Sequence, residues 1–393
     1  MAEQPQLSEE VLFTIKRENL DSGLRGYPVG YCTSSSVDPN KGLFYVGRKV
    51  PDLVHWEPEK VIFLLYYGYE GTDQEIKAFK EDLKKRAPLS EKTIQHIRQL
   101  PKDGHPMKLF SASLLVLGMI EGKNDYHEDC LNVIAKIPLL GAEVINYHGG
   151  FKGKPFDPNL GYMENFANML GGPSSGSPDL KEALTLFNIL HYDHGGGNLS
   201  TFIGKGVASG LEDMYGSLAA SMCALAGPRH GRANQDCLEF TEKVLNEVGE
   251  NATNSQIENL IRKRLADNEL IFGFGHAVLR VEDPRATILY ELAKKKYADK
   301  PLVKIALKLK TEGTKVLSEN PKISDPFPNV DAISGTILSV SGFPYPEYFT
   351  ILFGISRCVG IARQIVYERL EARDKKGTPI YRPKYLYKSR ESN

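Results

Sequence analysis

Residues 270–285 read Leu270-Ile-Phe-Gly-Phe-Gly-His-Ala-Val-Leu-Arg-Val-Glu-Asp-Pro-Arg285, which sets one histidine and two arginines beside a double-glycine turn. Gly273 and Gly275 remove side chains where the backbone must turn tightly or meet a ligand. His276 exchanges a proton near neutral pH, and Arg280 and Arg285 offer planar forks for carboxylate or phosphate. Pro284 then opens a helix from the position proline prefers. An ordinary glycine loop ahead of a helix has the same outline. A dinucleotide fingerprint does not fit, because Val278 stands where its third glycine belongs and no β-α-β pattern surrounds it.

Outward from this stretch, nearly everything reads as helix. Apolar residues recur at three- and four-residue spacing over about 286–297, 301–319, 331–341 and 346–371, and before it over 253–267 and from Asn234. Toward the N-terminus the same spacing covers Glu57–Tyr69, Asp73–Arg86, Glu91–Gln99, Met107–Glu121, His127–Tyr147 and Pro178–Leu190. A Pro-, Gly- and Ser-rich loop runs from Gly149 to about Ser177, and small residues accumulate between Ser209 and Ala226, which suits a deep core or a subunit interface. Strand material is confined to residues 11–48: Val11, Phe13 and Ile15 alternate, and Tyr27–Cys32 and Leu43–Val46 follow between glycines. The expected architecture is mainly α with a little β at the N-terminus.

With 393 residues the chain has room for two domains, and 49 basic residues balance 49 acidic ones. That balance argues against a dedicated nucleic-acid or membrane-surface protein, so an anion site must be a local cluster of arginines. Five scattered cysteines, at 32, 130, 223, 237 and 358, without a Cys-x-x-Cys pair, read as thiols of a reducing compartment. The polar N-terminus Met1–Glu10 lacks the apolar core of a secretory signal and the arginines of a transit peptide, and apolar runs such as Leu114–Leu117 are too short to span a bilayer. The expected location is cytoplasmic, or the mitochondrial matrix for a chain whose transit peptide has been removed.

Three further clusters hold candidate chemistry. His191 and His194 are spaced like metal ligands on one helical face, but no third or fourth ligand follows, so no metal is expected. His230, in Gly227-Pro-Arg-His-Gly231, sits at a helix start, where the positive helix end favours a neutral imidazole able to donate a hydrogen bond. Asp331 follows Pro326-Phe-Pro-Asn-Val330 at another helix start, as an N-cap or as a catalytic base.

Taken together, Gly227-Pro-Arg-His-Gly-Arg-Ala-Asn-Gln235, Gly273–Arg285, Pro328-Asn-Val-Asp-Ala-Ile-Ser-Gly335 and Leu352-Phe-Gly-Ile-Ser-Arg357 resemble citrate synthase, in order and at family spacing. His191-Tyr-Asp-His-Gly-Gly-Gly-Asn-Leu-Ser200, His105-Pro-Met107, Gly23-Leu-Arg-Gly26 and Arg382-Pro-Lys384 extend the resemblance over almost the whole chain, in the form of the mitochondrial-type branch.

The resemblance implies a two-domain helical homodimer: a large domain of residues 1–231 and 337–393, and a small domain of 232–336 that closes over the active site. It implies condensation of acetyl-CoA with oxaloacetate, both substrates, with no cofactor. By the same resemblance Asp331 is the base, His230 stabilises the enol or enolate, and His276 polarises the ketone. His194, Arg285 and Arg357 hold oxaloacetate, joined by Arg382 from the other subunit, and Arg25, Arg280 and Lys322 contact CoA. Two rivals share the motifs: 2-methylcitrate synthase, which uses propionyl-CoA, and a non-catalytic CoA- or dicarboxylate-binding paralogue. Three departures stand out. Arg232 replaces a small or apolar residue after His-Gly, Val46-Gly-Arg48 stands where an Arg-Gly pair is usual, and Asn146 stands where an arginine reaches CoA phosphate.

Overall fold

Side-chain caps and prolines fix where most helices begin. In the computed structural model, which describes residues 11–390, the first elements are three short antiparallel strands, β1 (Ser35–Asp38), β2 (Gly42–Tyr45) and β3 (Arg48–Lys49), in the order β1-β2-β3 with Ser35 opposite Tyr45. Helices α1 (Val50–Leu53), α2 (Pro58–Tyr67), α3 (Asp73–Arg86), α4 (Glu91–Ile97), α5 (Pro106–Glu121) and α6 (Tyr126–Gly149) follow. Thr72 caps α3 in a reciprocal box with Glu75, Ser90 caps α4 and Asp125 caps α6. Then come α7 (Tyr162–Met169), α8 (Pro178–His191), α9 (Leu199–Ser209), α10 (Met214–Leu225), α11 (Ala233–Val248) and α12 (Asn254–Ala266). The chain continues through α13 (Pro284–Lys296), α14 (Pro301–Ser318), α15 (Asp331–Val340) and α16 (Phe349–Val366), which runs on into a π turn at Tyr367–Glu371.

Two apolar cores organise these elements. In the larger, α6 and α16 pack together through residues such as Ile134, Ile137, Ile351 and Ile355, all essentially inaccessible. Both helices are long and apolar enough to cross a membrane by length and composition, but 83% and 94% of their apolar windows are buried inside the protein. The smaller core gathers Phe240 and Val244 of α11, Ile257 and Ile261 of α12, and Ile305 and Leu309 of α14.

The N-terminal strands are fewer than the alternation implied. Residues 11–16 and 27–32 are not strands, and Arg17–Asp21 forms a 3-10 turn. Val11 and Ile15 are 76% and 66% exposed, so the alternating pattern has no sheet to join within the described chain. Of the three stretches expected as strands only Leu43–Tyr45 pairs, with Ser35–Asp38 on one side and Arg48–Lys49 on the other. Two helices lie where the sequence reading placed none: α7 inside the Pro- and Gly-rich segment read as loop, and α9 in the unassigned stretch beyond the triple glycine. The polar segment Met1–Glu10 lies outside the described residues.

Candidate active site

Backbone pairing brings the opening stretch to Asp331. Gly275 N–H donates to Phe327 O at 3.0 Å, Asn329 N–H donates to Gly273 O at 2.9 Å, and the Asn329 amide reaches Gly275 O at 3.0 Å. Gly273 and Gly275 take φ of +85° and +83°, and a Cβ on Gly273 would lie 2.8 Å from Ala332 at the start of α15. These glycines therefore permit a tight loop-to-helix contact, and ligand approach is not what demands Gly273.

Two histidines, His276 of this loop and His230 of the 227–231 turn, each have one ring nitrogen occupied and one left as a donor. His276 Nδ1 accepts from the backbone N–H groups of Val278 and Leu279, each at 3.0 Å, so its proton resides on Nε2. His230 Nε2 accepts from the Ser200 backbone N–H at 3.2 Å and contacts Ser200 Oγ at 2.9 Å, so its proton resides on Nδ1. Burial drives both imidazoles down to about 4, helped by Arg357 at His230 and by Arg285 at His276. Ser200 lies in the first turn of α9. The helix start that His230 meets is thus that of α9, whereas the sequence pointed to the helix following the histidine, α11.

Asp331 is the first residue of α15, behind Val330, and its carboxylate makes no hydrogen bond among the described residues. The Asn329 side chain accepts the first N–H of α15 at 3.0 Å, so Asp331 is not the cap and its carboxylate is free to meet a substrate proton. Burial raises it to about 6, with Arg285 and Arg357 pulling the other way.

Around these three groups lies a buried cationic pair. Arg285, 4% exposed, is forked onto Asp283, with Nη2 to Oδ2 at 2.7 Å and Nε to Oδ1 at 3.1 Å. Arg357, 2% exposed, donates through Nε to His191 O at 3.1 Å and lies 4.7 Å over the Phe353 ring, with no carboxylate in contact among the described residues. Burial, with Arg285 nearby, pulls its guanidinium down to about 10, still charged at neutral pH. His194 stands with its ring 5.2 Å from that of His276, and burial holds it neutral. Its companion His191 turns away, bonding Phe187 O through Nδ1 at 2.7 Å, so the two do not converge as metal ligands. Among the described residues no three His, Cys, Asp or Glu side chains gather in a metal-binding group.

Sequence reading missed the residues that hold this loop in place. Asp193, fully buried, accepts from Ser34 Oγ at 2.5 Å, Gln364 Nε2 at 2.8 Å and the His194 N–H at 2.9 Å. Ser35 Oγ accepts from Gly195 N–H at 2.7 Å, so the small sheet clamps the segment that carries His194. One signal was available: Gln364 is seven residues from Arg357, on the same face of an otherwise apolar helix. A buried acid, two neutral donors and two inward arginines suit a dianionic ketone beside a weak carbon acid.

The family model described as the citrate synthase C-terminal domain matches residues 23–384. This chain belongs to the citrate synthase family. It is 34% identical to the mitochondrial citrate synthase of Daucus carota over 92% of this chain and 80% of that one, and 34% identical to that of Saccharomyces cerevisiae over 95% and 82%. The peroxisomal citrate synthase of Saccharomyces cerevisiae is also 34% identical, over 93% and 84%. Among solved structures, the ternary complex of Thermoplasma acidophilum citrate synthase with carboxymethyl coenzyme A and oxaloacetate superposes with a TM-score of 0.81 at 25% identity, covering 95% of this chain and 97% of that one. Pyrobaculum aerophilum citrate synthase gives 0.81 at 27% identity, over 94% and 93%.

Within this citrate synthase fold the remaining candidates are more dispersed. Arg280 shares the His276 loop and folds back, donating to Val278 O at 3.1 Å and Leu279 O at 2.6 Å. Arg25 and Lys322 are exposed, in separate loops. Asn146 bridges the end of α6 to the end of α7, donating to Met169 O at 2.9 Å and accepting from Gly171 N–H at 2.8 Å, so its role here is structural. Arg232 pairs with Asp236 at 3.5 Å in the first turn of α11. Val46 takes φ of +47° in the turn between β2 and β3, a strained choice for a β-branched residue. Arg382 is exposed and is not brought to the site of its own chain: neighbouring Tyr381 N–H donates to Ser209 Oγ at 3.1 Å, at the far end of α9 from Ser200. The length of α9 separates those ends by about 13 Å.

Proposed function

We propose that this chain condenses acetyl-CoA with oxaloacetate and water to give citrate and CoA, with Asp331, His230 and His276 as the catalytic residues. The observation that carries the assignment is the pair of neutral histidines, each with one nitrogen held by backbone N–H and the other free to donate, beside a carboxylate that caps nothing. Asp331 takes a methyl proton while His230 Nδ1–H donates to the thioester oxygen. The enolic carbon then attacks the oxaloacetate ketone, whose oxygen receives the His276 Nε2–H hydrogen bond. Water cleaves the citryl thioester, releasing CoA. Arg285, Arg357 and His194 bind the dicarboxylate, and Arg25, Arg280 and Lys322 contact CoA. No other cofactor enters this scheme.

Residues 232–336 act as the small domain and the rest as the large one; α11, α12 and α14 share a core of their own, while α13 and α15 of the same stretch pack into the larger one. The enzyme works as a homodimer in which Arg382 serves the partner's site. Exposed apolar side chains on both terminal segments, including Val11, Leu12, Ile15, Leu386 and the 90% and 93% exposed Tyr385 and Tyr387, support such a partner surface. Most of the relatives' names read mitochondrial and one reads peroxisomal, which supports a mitochondrial location over the cytoplasm.

Initial rates of CoA release with acetyl-CoA and propionyl-CoA, each with and without oxaloacetate, test the assignment. Oxaloacetate-dependent release favouring acetyl-CoA is expected. Preference for propionyl-CoA would make it a 2-methylcitrate synthase, since one methylene is worth only about 1–3 kcal/mol in a pocket. No release with either would leave a binding protein.

A further inference from the structure

One buried ion pair lies outside the site described above. Lys205 of α9 and Glu368 of the π turn are 3% and 4% exposed, with Nζ and Oε1 2.9 Å apart. Such a pair is a poor source of stability, because two charges have left water, and its best use is to specify one arrangement. Here it joins three segments. Tyr381 Oη donates to Glu368, 3.0 Å from each oxygen, its ring stacks on Phe202 of α9 at 5.9 Å, and Thr378 N–H donates to Glu368 O at 2.7 Å. A Cβ on Gly196, two residues beyond His194, would be 2.9 Å from Lys205 Nζ. A Cβ on Gly30 would lie 3.6 Å from Glu368 Oε1. The next residue after Tyr381 is Arg382, exposed at the point where the chain leaves this anchorage.

We infer that Lys205, Glu368 and Tyr381 are positioning residues that aim Arg382 into the partner's oxaloacetate site. This rests on the reading that Arg382 acts across the dimer. Tyr381 fixes the exit of the arm by a hydrogen bond to a carboxylate that Lys205 holds in one place, so the arm arrives ordered, and the ordering cost is met on folding instead of on binding. The defect of a Tyr381 variant therefore belongs to the other chain's site.

Tyr381→Phe keeps the ring stack and removes only the hydroxyl, so the chain should fold. In that homodimer the KM for oxaloacetate should rise about tenfold with kcat within about twofold, the signature of a misplaced binding group. Mixed dimers, isolated with two different tags, locate the defect. When a Tyr381→Phe chain is paired with a His230→Ala chain, the working site receives an unaltered arm, and KM should be that of the wild type. When a wild-type chain is paired with a His230→Ala, Tyr381→Phe chain, the working site receives the altered arm, and KM should be raised. Arg382→Ala goes through the same two pairings. An Arg382 defect that follows its own chain refutes the shared site, and the proposal with it. An Arg382 defect that crosses the dimer while the Tyr381 defect stays in its own chain, or is absent, overturns the proposal and leaves the shared site standing.

Discussion

Asp331 keeps its proton up to about pH 6 because burial disfavours the carboxylate, with Arg285 and Arg357 only partly offsetting this. As the base it must be ionised, so kcat/KM, which reports the free enzyme, should fall about tenfold per unit below that pH and level off above it. A kcat/KM that stays flat down to pH 5 would contradict the role. The histidines run in the opposite sense. His230 and His276 fall from 6.5 to about 4 on burial, His191 to about 3, and His194 well below its ordinary value. Between pH 4 and 6.5 the unfolded chain therefore binds protons at these four positions that the folded chain refuses, and stability is lost as pH falls through that window. Asp331 opposes this, since from 3.8 to about 6 the folded chain holds a proton that the unfolded chain releases. Burial also raises Asp129, Asp236, Glu242 and Asp325, which act in the same sense as Asp331. The four histidines should outweigh these carboxylates, so urea midpoints should rise from pH 4 to 6.5; a fall over that interval would contradict the burial argument. By the same reasoning Asp331→Asn should be more stable than the wild type at pH 7.5 by about 1–3 kcal/mol, measurable in urea. The three catalytic candidates were legible because each sits in a short, chemically unusual motif. Asp193 and Ser200 were not, because their roles arise from contacts between segments far apart in the chain or from a backbone N–H that any residue supplies.

At the scale of elements, the helices were legible wherever an apolar face coincided with a cap: α3 runs from Asp73 to Arg86, as its spacing implied. Helix α9 escaped because Gly204 and Gly206 lower its intrinsic propensity, and what holds it is the Asn198 cap and packing against α10. The strands were over-read because alternation alone cannot show whether a pairing partner exists. The junction of the 273–276 loop with α15 yields a direct test. Gly273→Ala puts a methyl 2.8 Å from Ala332 at a φ of +85°, which should cost about 1–3 kcal/mol. It should also lower kcat, because the displaced α15 carries Asp331. Unchanged urea midpoint and kcat would mean that this contact does not set the position of the base.

On the scale of the whole molecule, His276, Arg285 and Asp331 belong to the proposed small domain, whereas His194, His230 and Arg357 belong to the rest. A ligand gripped by both parts favours the closed state in proportion to its extra contacts there. Oxaloacetate should therefore reduce the radius of gyration in small-angle scattering, and no change at saturation would refute closure. The most direct test of the account is to compare wild type with Asp331→Asn on the same preparations, measuring oxaloacetate binding by calorimetry and citrate formation from acetyl-CoA. The wild type should form citrate and CoA in equal amounts. The variant should keep its oxaloacetate affinity and lose turnover by about 10³-fold or more, because an amide cannot accept the methyl proton. Near-normal turnover in Asp331→Asn would contradict the mechanism at its centre.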